Sequence, residues 1–275
     1  MIVCRTISEI RASLAPRRAL GKVALVATMG ALHEGHLSLV QIGRKEASTV
    51  VVSIFVNPLQ FAPEEDFGKY PRALAADLAM LESVGVDAVF TPDRAELYPE
   101  GFATRVEVGG VSEGQEGAVR PGHFAGVATV VAKLFAIVGP DIAVFGRKDL
   151  QQTAVVARMI ADLNFPVRLV VGEVDREADG LARSSRNVYL TPAQRGRAAA
   201  FPRALREARE QLRGGMAVEE VEARTKQKLE NEGFGVDYVE VVEPQTIRRS
   251  AEARGAAVAA AVRLGKVRLL DNVIV

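Results

Sequence analysis

The first two thirds of the chain alternate short apolar runs with longer amphipathic stretches. The apolar runs are rich in β-branched residues and occupy positions 23–27, 49–56, 87–91, 142–145 and 167–171. Helical spacing of apolar residues covers positions 37–47, 72–84, 127–138 and 150–163. Strands that alternate with amphipathic helices are typical of βαβ units, in which helices cover both faces of a parallel sheet. The pattern therefore predicts an α/β fold with a Rossmann-like, doubly wound parallel sheet.

The pattern changes after about residue 190. Thr191 and Pro192 form a typical helix start, with threonine at the cap and proline in the first turn. Helical patterns follow to about residue 232, and strand-like runs then occupy residues 236–242, 257–263 and 267–270. A hairpin turn near Gly265 is expected to join the last two runs. We therefore predict two domains, residues 1–185 and a smaller α+β domain at residues 186–275.

Composition narrows the class of protein. With 48% hydrophobic and 25% charged residues, the 275-residue chain resembles ordinary globular proteins. A net charge of +1 does not favour a nucleic-acid partner, and a single cysteine excludes an intrachain disulfide. The most apolar stretch, residues 126–145, is interrupted by Lys133 and by Gly139, Pro140 and Asp141, which indicates a helix, a turn and a strand. Without a signal-peptide pattern, the expected location is the cytoplasm.

Candidate chemistry concentrates where the first apolar run ends. Gly30 permits a tight turn there, and it is followed by His33 and His36, two of the three histidines in the chain. Their i, i+3 spacing places both rings on one face as a helix begins. A helix start offers backbone N–H groups and the positive end of the helix dipole, which favours a bound phosphate. This stretch therefore predicts a nucleotide site.

Two other interpretations of the histidines stay open at this point. One is that both are ordinary residues of a strand-to-helix turn. The other is a zinc site with His123 as a third ligand, although the spacing is not H-E-x-x-H and Cys4 is distant in sequence. The glycines on both sides of the pair favour phosphate over metal, so no protein-bound metal is predicted.

Polar residues also follow later predicted strands. Gln60 comes after the second strand, and residues 146–149 lie between a strand and a helix that carries Gln152. An Arg-Ser-Ser-Arg-Asn run at residues 183–187 offers hydroxyls and guanidinium groups to a polyphosphate, and the glycine-rich segment 120–126 has the composition of a gate. Ligands of parallel sheets bind beyond the carboxyl ends of the strands, so the loops that carry the two histidines, Gln60 and residues 146–149 can converge on one crevice.

Several long motifs resemble those of the pantothenate synthetase (pantoate–β-alanine ligase) family, within the HxGH nucleotidylyltransferase-like superfamily. They are TMGALHEGH at residues 28–36, VSIFVNPLQF at 52–61, YPR at 70–72, RPGHF at 120–124, DGLA at 179–182, SSRN at 184–187 and RLLDN at 268–272. The resemblance implies ATP-dependent condensation of (R)-pantoate with β-alanine to pantothenate, through a pantoyl adenylate, with release of AMP and pyrophosphate. It also implies a homodimer, and ATP that enters as a substrate together with Mg²⁺.

The resemblance assigns roles to individual residues. It makes His36 the catalytic proton donor, and it assigns pantoate binding to Gln60 and Gln152 and β-alanine binding to Gln60. On this assignment the domain at residues 1–185 binds ATP and pantoate. The ATP-binding residues that it implies are Met29, Gly30, Ala31, Leu32, His33, Glu34, Gly35, His36, Gly146, Arg147, Lys148, Asp149, Asp175, Arg183, Ser184, Ser185 and Arg186.

Four residues depart from the family pattern. Ala27 replaces a usual proline, Arg147 stands at a usually acidic position, Asp175 stands at a usually apolar position beside the adenine, and Arg183 replaces a leucine or methionine. We expect the loss of the proline to be mild and the three charged residues to adjust ATP affinity without removing activity. Pairing of Asp175 with Arg183 is a hypothesis.

Three other functions remain possible from the sequence. A small-molecule nucleotidyltransferase would share the histidine motif without needing Gln60 and Gln152, and an inactive nucleotide-binding homologue would be explained by the four departures. A zinc hydrolase ranks last. The predicted partners are the small molecules ATP, pantoate and β-alanine, with neither nucleic acid nor membrane among them.

Overall fold

The computed structural model describes residues 1–63 and 65–275, which form two compact units. The first unit comprises Met1–Gly146 and Val155–Gly172, and the second comprises Arg147–Ala154 and Glu173–Val275. Contacts thus group residues 147–154 and 173–185 with the C-terminal part of the chain. The predicted boundary after residue 185 is drawn to separate an ATP- and pantoate-binding domain from the rest of the chain. That boundary stays a prediction.

The first unit is built on a six-stranded sheet in which every strand pair is parallel. Its strands are β1 (Ile2–Cys4), β2 (Val23–Thr28), β3 (Thr49–Ile54), β4 (Ala88–Phe90), β5 (Ile142–Gly146) and β6 (Arg168–Gly172). The helices along this part of the chain are α1 (Ile7–Leu14), α2 (Glu34–Glu46), α3 (Leu74–Ser83), α4 (Arg94–Leu97), α5 (Gln115–Val119), α6 (His123–Val138) and α7 (Leu150–Asp162), the last of which begins in the second unit.

Both faces of this sheet are apolar and covered by helices. Along β2, Val23 and Leu25 belong to a core shared with α1, α6 and α7, whereas the alternate residues Ala24 and Val26 belong to a second core shared with α2 and α3. Because successive side chains of a strand point to opposite faces, a strand buried on both faces has a continuous apolar run. The predicted doubly wound α/β fold is therefore confirmed.

The strand order is β1-β4-β3-β2-β5-β6. From β2 the chain builds outward through β3 to β4, and it then returns to place β5 on the other side of β2. The order therefore reverses between β2 and β5, which is the position where open parallel sheets bind ligands. The histidine-containing loop follows β2, and Gly146 is the last residue of β5.

The apolar stretch at residues 126–145 is a helix, a turn and a strand, as predicted. Helix α6 ends at Val138, Gly139 caps it in a left-handed conformation, and β5 begins at Ile142. Within the residues that the structure describes, no helix combines the length and the apolar character needed to cross a membrane.

The second unit contains an antiparallel sheet in the order β7-β8-β9, packed against helices. Its elements are the helices α8 (Pro192–Ala198), α9 (Ala200–Arg213) and α10 (Val218–Asn231) and the strands β7 (Gly235–Val242), β8 (Ala257–Leu264) and β9 (Val267–Ile274). Thr191 caps α8 through a capping box with Gln194, and Gly265 lies in the β8–β9 turn. The smaller α+β region is thus confirmed, although β9 extends four residues beyond its predicted end at residue 270.

Candidate active site

The loop after β2 takes its shape from backbone conformation and one buried carboxylate. Gly30 has φ +84°, and a Cβ at this position would lie 3.0 Å from Asp77 Oδ2 and 3.1 Å from Ile54 Cγ2. The next two amides, of Ala31 and Leu32, donate to the two oxygens of Asp77 at 2.9 and 2.8 Å. The loop therefore favours glycine at position 30, because a side chain there would crowd Asp77 and Ile54 and φ is positive.

Asp77 is a site residue that the sequence analysis missed. Its side chain is buried at 2% exposure within α3, and the two amides that it binds lie 46 and 45 residues earlier. A buried carboxylate is stable when backbone donors and charge replace its lost water. Asp77 therefore fixes the backbone that leads into His33 and His36. The amides of Ala31 and Leu32, two residues that the resemblance assigns to ATP binding, are engaged with this carboxylate.

His33 and His36 lie at the start of α2, as the spacing predicted. His33 is the N-cap residue, and the two ring centroids are 4.1 Å apart. The His33 backbone amide donates to Nδ1 of His36 at 3.3 Å. Because Nδ1 accepts this bond, a neutral His36 carries its proton on Nε2. The backbone thus sets the tautomer in which the outer nitrogen of His36 is a hydrogen-bond donor.

Gln60 ends a 3₁₀ turn, Pro58–Gln60, that follows β3, and its side chain contacts the first loop. The Tyr98 hydroxyl donates to Asn57 Oδ1 at 2.8 Å, Asn57 Nδ2 donates to Gln60 Oε1 at 3.0 Å, and Gln60 Nε2 lies 3.2 Å from Met29 Sδ. Burial raises the pKa of Tyr98, so its hydroxyl stays protonated and must be the donor. This chain of bonds fixes which end of the Gln60 amide faces Met29.

The backbone carbonyl of Gln60 is held by a second set of contacts. His123 Nδ1 lies 2.9 Å from this oxygen and Arg120 Nη2 lies 3.4 Å from it. Arg120 also pairs with Glu65 through two bonds of 2.5 and 2.7 Å. Gly126 allows this packing, because a Cβ there would lie 2.2 Å from the Leu59 carbonyl oxygen. The segment predicted as a gate is therefore fastened to the Gln60 turn.

The surroundings of His123 keep its imidazole ring neutral. Burial, and after it the positive charge of Arg120, lower the pKa of His123 to about 4. Its Nδ1–H donates to Gln60, and Nε2 accepts from Arg120 Nη1 at 3.1 Å. Burial alone would raise the pKa of Glu65, but the bonds and charge of Arg120 outweigh burial, so that pKa lies below its usual value. Both ring nitrogens of His123 are thus engaged within the protein.

A cavity of about 210 Å³ lies beside this turn, within the first unit. Gln60, Arg120, His123 and Thr129 contribute polar groups to its wall, and Arg105 adds a second guanidinium. Glu65 and Glu116 both pair with Arg120, so the charge of this guanidinium is balanced within the protein.

The remaining predicted site residues, except Gly146 at the end of β5, belong to the second unit. Residues Arg147–Asp149 form a 3₁₀ turn, and Gln152 lies in the first turn of α7. Arg147 Nη2 pairs with Glu173 at 2.7 Å, and Lys148 Nζ lies 3.3 Å from Asp149 Oδ2. The side-chain amide of Asn272, on β9, donates to the Arg147 and Lys148 carbonyls at 2.8 and 3.1 Å. Asn272 is a second residue whose contact to the site was missed.

The hypothesis that Asp175 and Arg183 pair is confirmed. Arg183 Nε lies 3.3 Å from Asp175 Oδ2, and the Arg183 amide donates to the Asp175 carbonyl at 3.0 Å. Ser184 follows as the cap of the 3₁₀ turn Ser185–Tyr189, where its Oγ accepts from the Arg186 amide. The positive charges expected from Arg147 and Arg183 are therefore each balanced by an adjacent acid.

No group of three or more His, Cys, Asp or Glu side chains among the described residues is arranged to hold a metal ion.

Among the predicted site residues, the structure brings Met29 and Gln60 together in the first unit and pairs Asp175 with Arg183 in the second. It also fastens Lys148 to β9 in the second unit.

Comparison with known proteins gives concordant results. A family model described as pantoate–β-alanine ligase matches residues 2–274. A pantothenate synthetase of Acidothermus cellulolyticus is 52% identical over 98% of this chain and 90% of its own length. A pantothenate synthetase of Desulfitobacterium hafniense is 48% identical over 99% of this chain and 98% of its own length.

Solved structures agree with these relatives. The crystal structure of pantothenate synthetase from Thermus thermophilus is 48% identical, covers 100% of this chain and 99% of its own, and has a TM-score of 0.95. A pantoate–β-alanine ligase from Francisella tularensis, complexed with beta-gamma ATP and beta-alanine, is 32% identical, covers 100% and 97%, and has a TM-score of 0.82.

Proposed function

This chain belongs to the pantoate–β-alanine ligase family and is a ligase, and we propose that it condenses (R)-pantoate with β-alanine through a pantoyl adenylate. The observation that carries the proposal is the family match over residues 2–274, within which the described His36 and Gln60 are held in defined orientations. ATP would be the second substrate, as suggested by the nucleotide bound to the Francisella tularensis relative.

The order of steps follows from the chemistry of the carboxylate. A carboxylate is a poor acyl donor, because displacement at carbon would have to expel oxide. Attack of the pantoate carboxylate oxygen on the α-phosphorus of ATP forms a P–O bond and breaks the bond to pyrophosphate. The amine of β-alanine then attacks the acyl carbon, the bond to AMP breaks, and the amine loses a proton. Most of the protein's contribution is positioning and stabilisation of developing charge.

We assign the donor at the phosphate to His36. Its Nδ1 accepts the His33 amide, so the ring can present Nε2–H to a phosphate oxygen at the start of α2. Charge develops on these oxygens when pyrophosphate leaves, and a preorganised donor is strongest at that moment. The other residues of the loop, Met29 to Gly35, would surround the nucleotide.

Gln60 is the proposed contact for pantoate and β-alanine. Its Oε1 is occupied by Asn57, whereas Nε2 faces the thioether of Met29, a weak acceptor. A substrate oxygen is a better partner for this N–H than sulfur is, so substrate binding would displace the Met29 contact. Gln152 would supply a further amide to pantoate from α7.

The remaining ATP contacts are proposed from the second unit and Gly146. Lys148 and the hydroxyls of Ser184 and Ser185 would bind phosphate oxygens, with Arg186 adding charge. Arg147, Asp149, Asp175 and Arg183 would line the nucleotide site. Mg²⁺ bound to the ATP phosphates would reduce the charge on pyrophosphate as it leaves.

Two finer features are also proposed. The enzyme would work in the cytoplasm, where its single cysteine, Cys4, stays a buried thiol. It would work as a homodimer, which sedimentation at micromolar concentration tests directly.

The proposed reaction is tested by measuring AMP, pyrophosphate and pantothenate after mixing the protein with ATP, Mg²⁺, pantoate and β-alanine, and after omitting each in turn. Pyrophosphate release that requires pantoate, and pantothenate formation that requires all components, support the ligase. Pyrophosphate release that depends instead on a phosphorylated acceptor identifies a nucleotidyltransferase. ATP binding without turnover identifies an inactive homologue.

A further inference from the structure

We propose that Asn272 is a positioning residue that holds the turn of residues Arg147–Asp149, and with it Lys148, in the geometry needed for ATP. The inference rests on the proposed function only in that Lys148 is taken to bind ATP. Asn272 lies on β9, more than a hundred residues after this turn, and its side chain is buried at 2% exposure.

The Asn272 amide makes two donations to successive carbonyls. Nδ2 lies 2.8 Å from the Arg147 oxygen and 3.1 Å from the Lys148 oxygen. Reversing the amide would place Oδ1 against both carbonyl oxygens, which repel it, so the orientation is determined by the contacts. One side chain therefore fixes two adjacent peptide groups of the turn, from which Lys148 and the start of α7 extend.

The oxygen of the same side-chain amide indicates that Asn272 does more than fill space in the core. Its Oδ1 is buried and has no hydrogen-bond partner among the described residues. A buried acceptor without a partner destabilises the folded state, and an apolar side chain of the same shape would avoid that cost. The two donations to the turn explain an amide at this position.

The main chain of Asn272 is held independently of its side chain. Its amide donates to Asp271 Oδ1 at 2.7 Å, and its carbonyl accepts from Arg176 Nη2 at 3.1 Å. Arg176 also binds the buried Asp271 carboxylate through two bonds of 2.7 and 2.9 Å. Removing the Asn272 side chain is therefore expected to leave β9 in place while it releases the turn.

The test uses Asn272→Leu, which keeps the branch at Cγ and removes the donor, and Asn272→Ala as a second, smaller variant in case leucine impairs folding. The matched control is Asp237→Asn, because Asp237 binds Arg263 at 3.0 Å and Arg268 at 2.6 Å within the same three-stranded sheet. Steady-state kinetics give KM for each substrate and kcat, thermal melting gives stability, and hydrogen exchange without nucleotide reports on amides 149–152.

The Asn272 variants should raise KM for ATP about tenfold, a ratio equivalent to ~1.4 kcal/mol, with little change in KM for pantoate. Amides 149–152 should exchange faster. The Asp237→Asn control should melt at a lower temperature and keep the native KM for ATP. Native KM and native local exchange in Asn272→Leu would overturn the inference, and so would an equal rise of KM in the control.

The two proposals fail in distinguishable ways. If the unaltered protein makes no pantothenate, the proposed function fails. Local exchange in Asn272→Leu, together with calorimetric titration of ATP, still decides whether this side chain holds the turn and supports nucleotide binding.

Discussion

His123 donates from Nδ1 to the carbonyl oxygen of Gln60 at 2.9 Å, so a buried imidazole supports the backbone of the residue proposed to contact both pantoate and β-alanine. Arg120 occupies the other nitrogen of the ring, and burial together with that charge keeps the ring neutral. Protonation of His123 would turn its accepting nitrogen into a second donor that faces a guanidinium. The Gln60 turn is therefore stable only while His123 is neutral.

This relationship predicts how stability depends on pH. The folded pKa of His123 is about 4 and the unfolded value is about 6.5, so the unfolded chain binds more protons between these values. The contribution of neutral His123 to the free energy of unfolding is complete above pH 6.5 and is lost as pH falls toward 4, with a slope of ~1.4 kcal/mol per pH unit. Urea unfolding at pH 7, 6 and 5 measures this change in the free energy of unfolding.

The matched variant is His123→Gln, which does not titrate. Glu65, whose pKa is lowered by Arg120, and Glu116 also face this ring, so the difference in pH slope between the native protein and His123→Gln isolates the histidine. Equal pH slopes in the native protein and in His123→Gln would show that His123 does not titrate as described.

Asp77→Asn should disturb the loop that carries the histidines. An asparagine offers one acceptor where the carboxylate offers two, so the Ala31 or the Leu32 amide loses its partner, at a cost of about 1–3 kcal/mol. The rate of adenylate formation should fall. Asp87→Asn is the control, because Asp87 accepts the Val50 amide at 2.8 Å next to the start of β4. It should lose stability without slowing adenylation; slowing in both variants would indicate a general effect.

His36→Ala should reduce the rate of pantoate-dependent pyrophosphate release by about 10²–10³-fold, because one charge-stabilising donor is lost. Melting temperature should fall only modestly: the His33 amide loses its acceptor, but His36 is only partly buried and α2 keeps its first backbone bonds from Leu37 and His36 to His33. His36→Gln, which keeps a donor, should recover part of the rate. Turnover close to native in His36→Ala would refute the assignment.

Gln60→Ala and Gln152→Ala should impair the use of pantoate more than the binding of ATP. A polar site that loses its partner group is weakened by about 1–3 kcal/mol, which appears as a higher KM for pantoate. Gln60→Ala should also raise KM for β-alanine, whereas Gln152→Ala should not. Isothermal titrations in which ATP affinity falls and pantoate affinity stays constant would reverse these roles.

The Asp175–Arg183 pair predicts a charge-dependent pattern at the nucleotide site. Both side chains are about one third exposed, so the pair itself contributes at most ~1 kcal/mol to stability. Asp175→Val alone leaves a positive charge and should lower KM for ATP, whereas Arg183→Leu alone leaves a negative charge and should raise it. The double variant should differ little from the native protein in KM. A rise in turnover of several orders of magnitude in the double variant would mean that the native enzyme is impaired.

The inner strands of the sheet were predictable because they are buried on both faces, whereas β1, whose first two residues are exposed, was not predicted. Apolar residues fill five of the six positions of β2 and four of the six of β3, so the two strands are evident without any knowledge of their neighbours. The start of β9 was predicted for the same reason, but its end was not, because Asp271 and Asn272 interrupt the apolar pattern. Both side chains are nonetheless buried: Asp271 is 3% exposed and pairs with Arg176, and Asn272 is 2% exposed and donates to the 147–149 turn.

Site residues were predictable where the motif itself is local. His33 and His36 are neighbours on one helix start, and the pairing of Asp175 with Arg183 follows from a short connection. Asp77 gave no comparable signal, because an acidic residue on an amphipathic helix is normally solvated, and only the folded chain brings it to the loop after β2.

The contacts of β9 also determine how the chain can be divided. A fragment ending at residue 185 would retain every site residue except Arg186, but it would lack Asp271 and Asn272. Arg176 would then lose its buried counter-ion, the 147–149 turn would lose both amide donations, and Leu181 would lose the apolar core that it shares with α9 and β8. Such a truncation is expected to be insoluble or inactive. A split into complementary halves should instead place the break in an exposed connection, such as the turn around Gly215 between α9 and α10, where both products keep their half of the core.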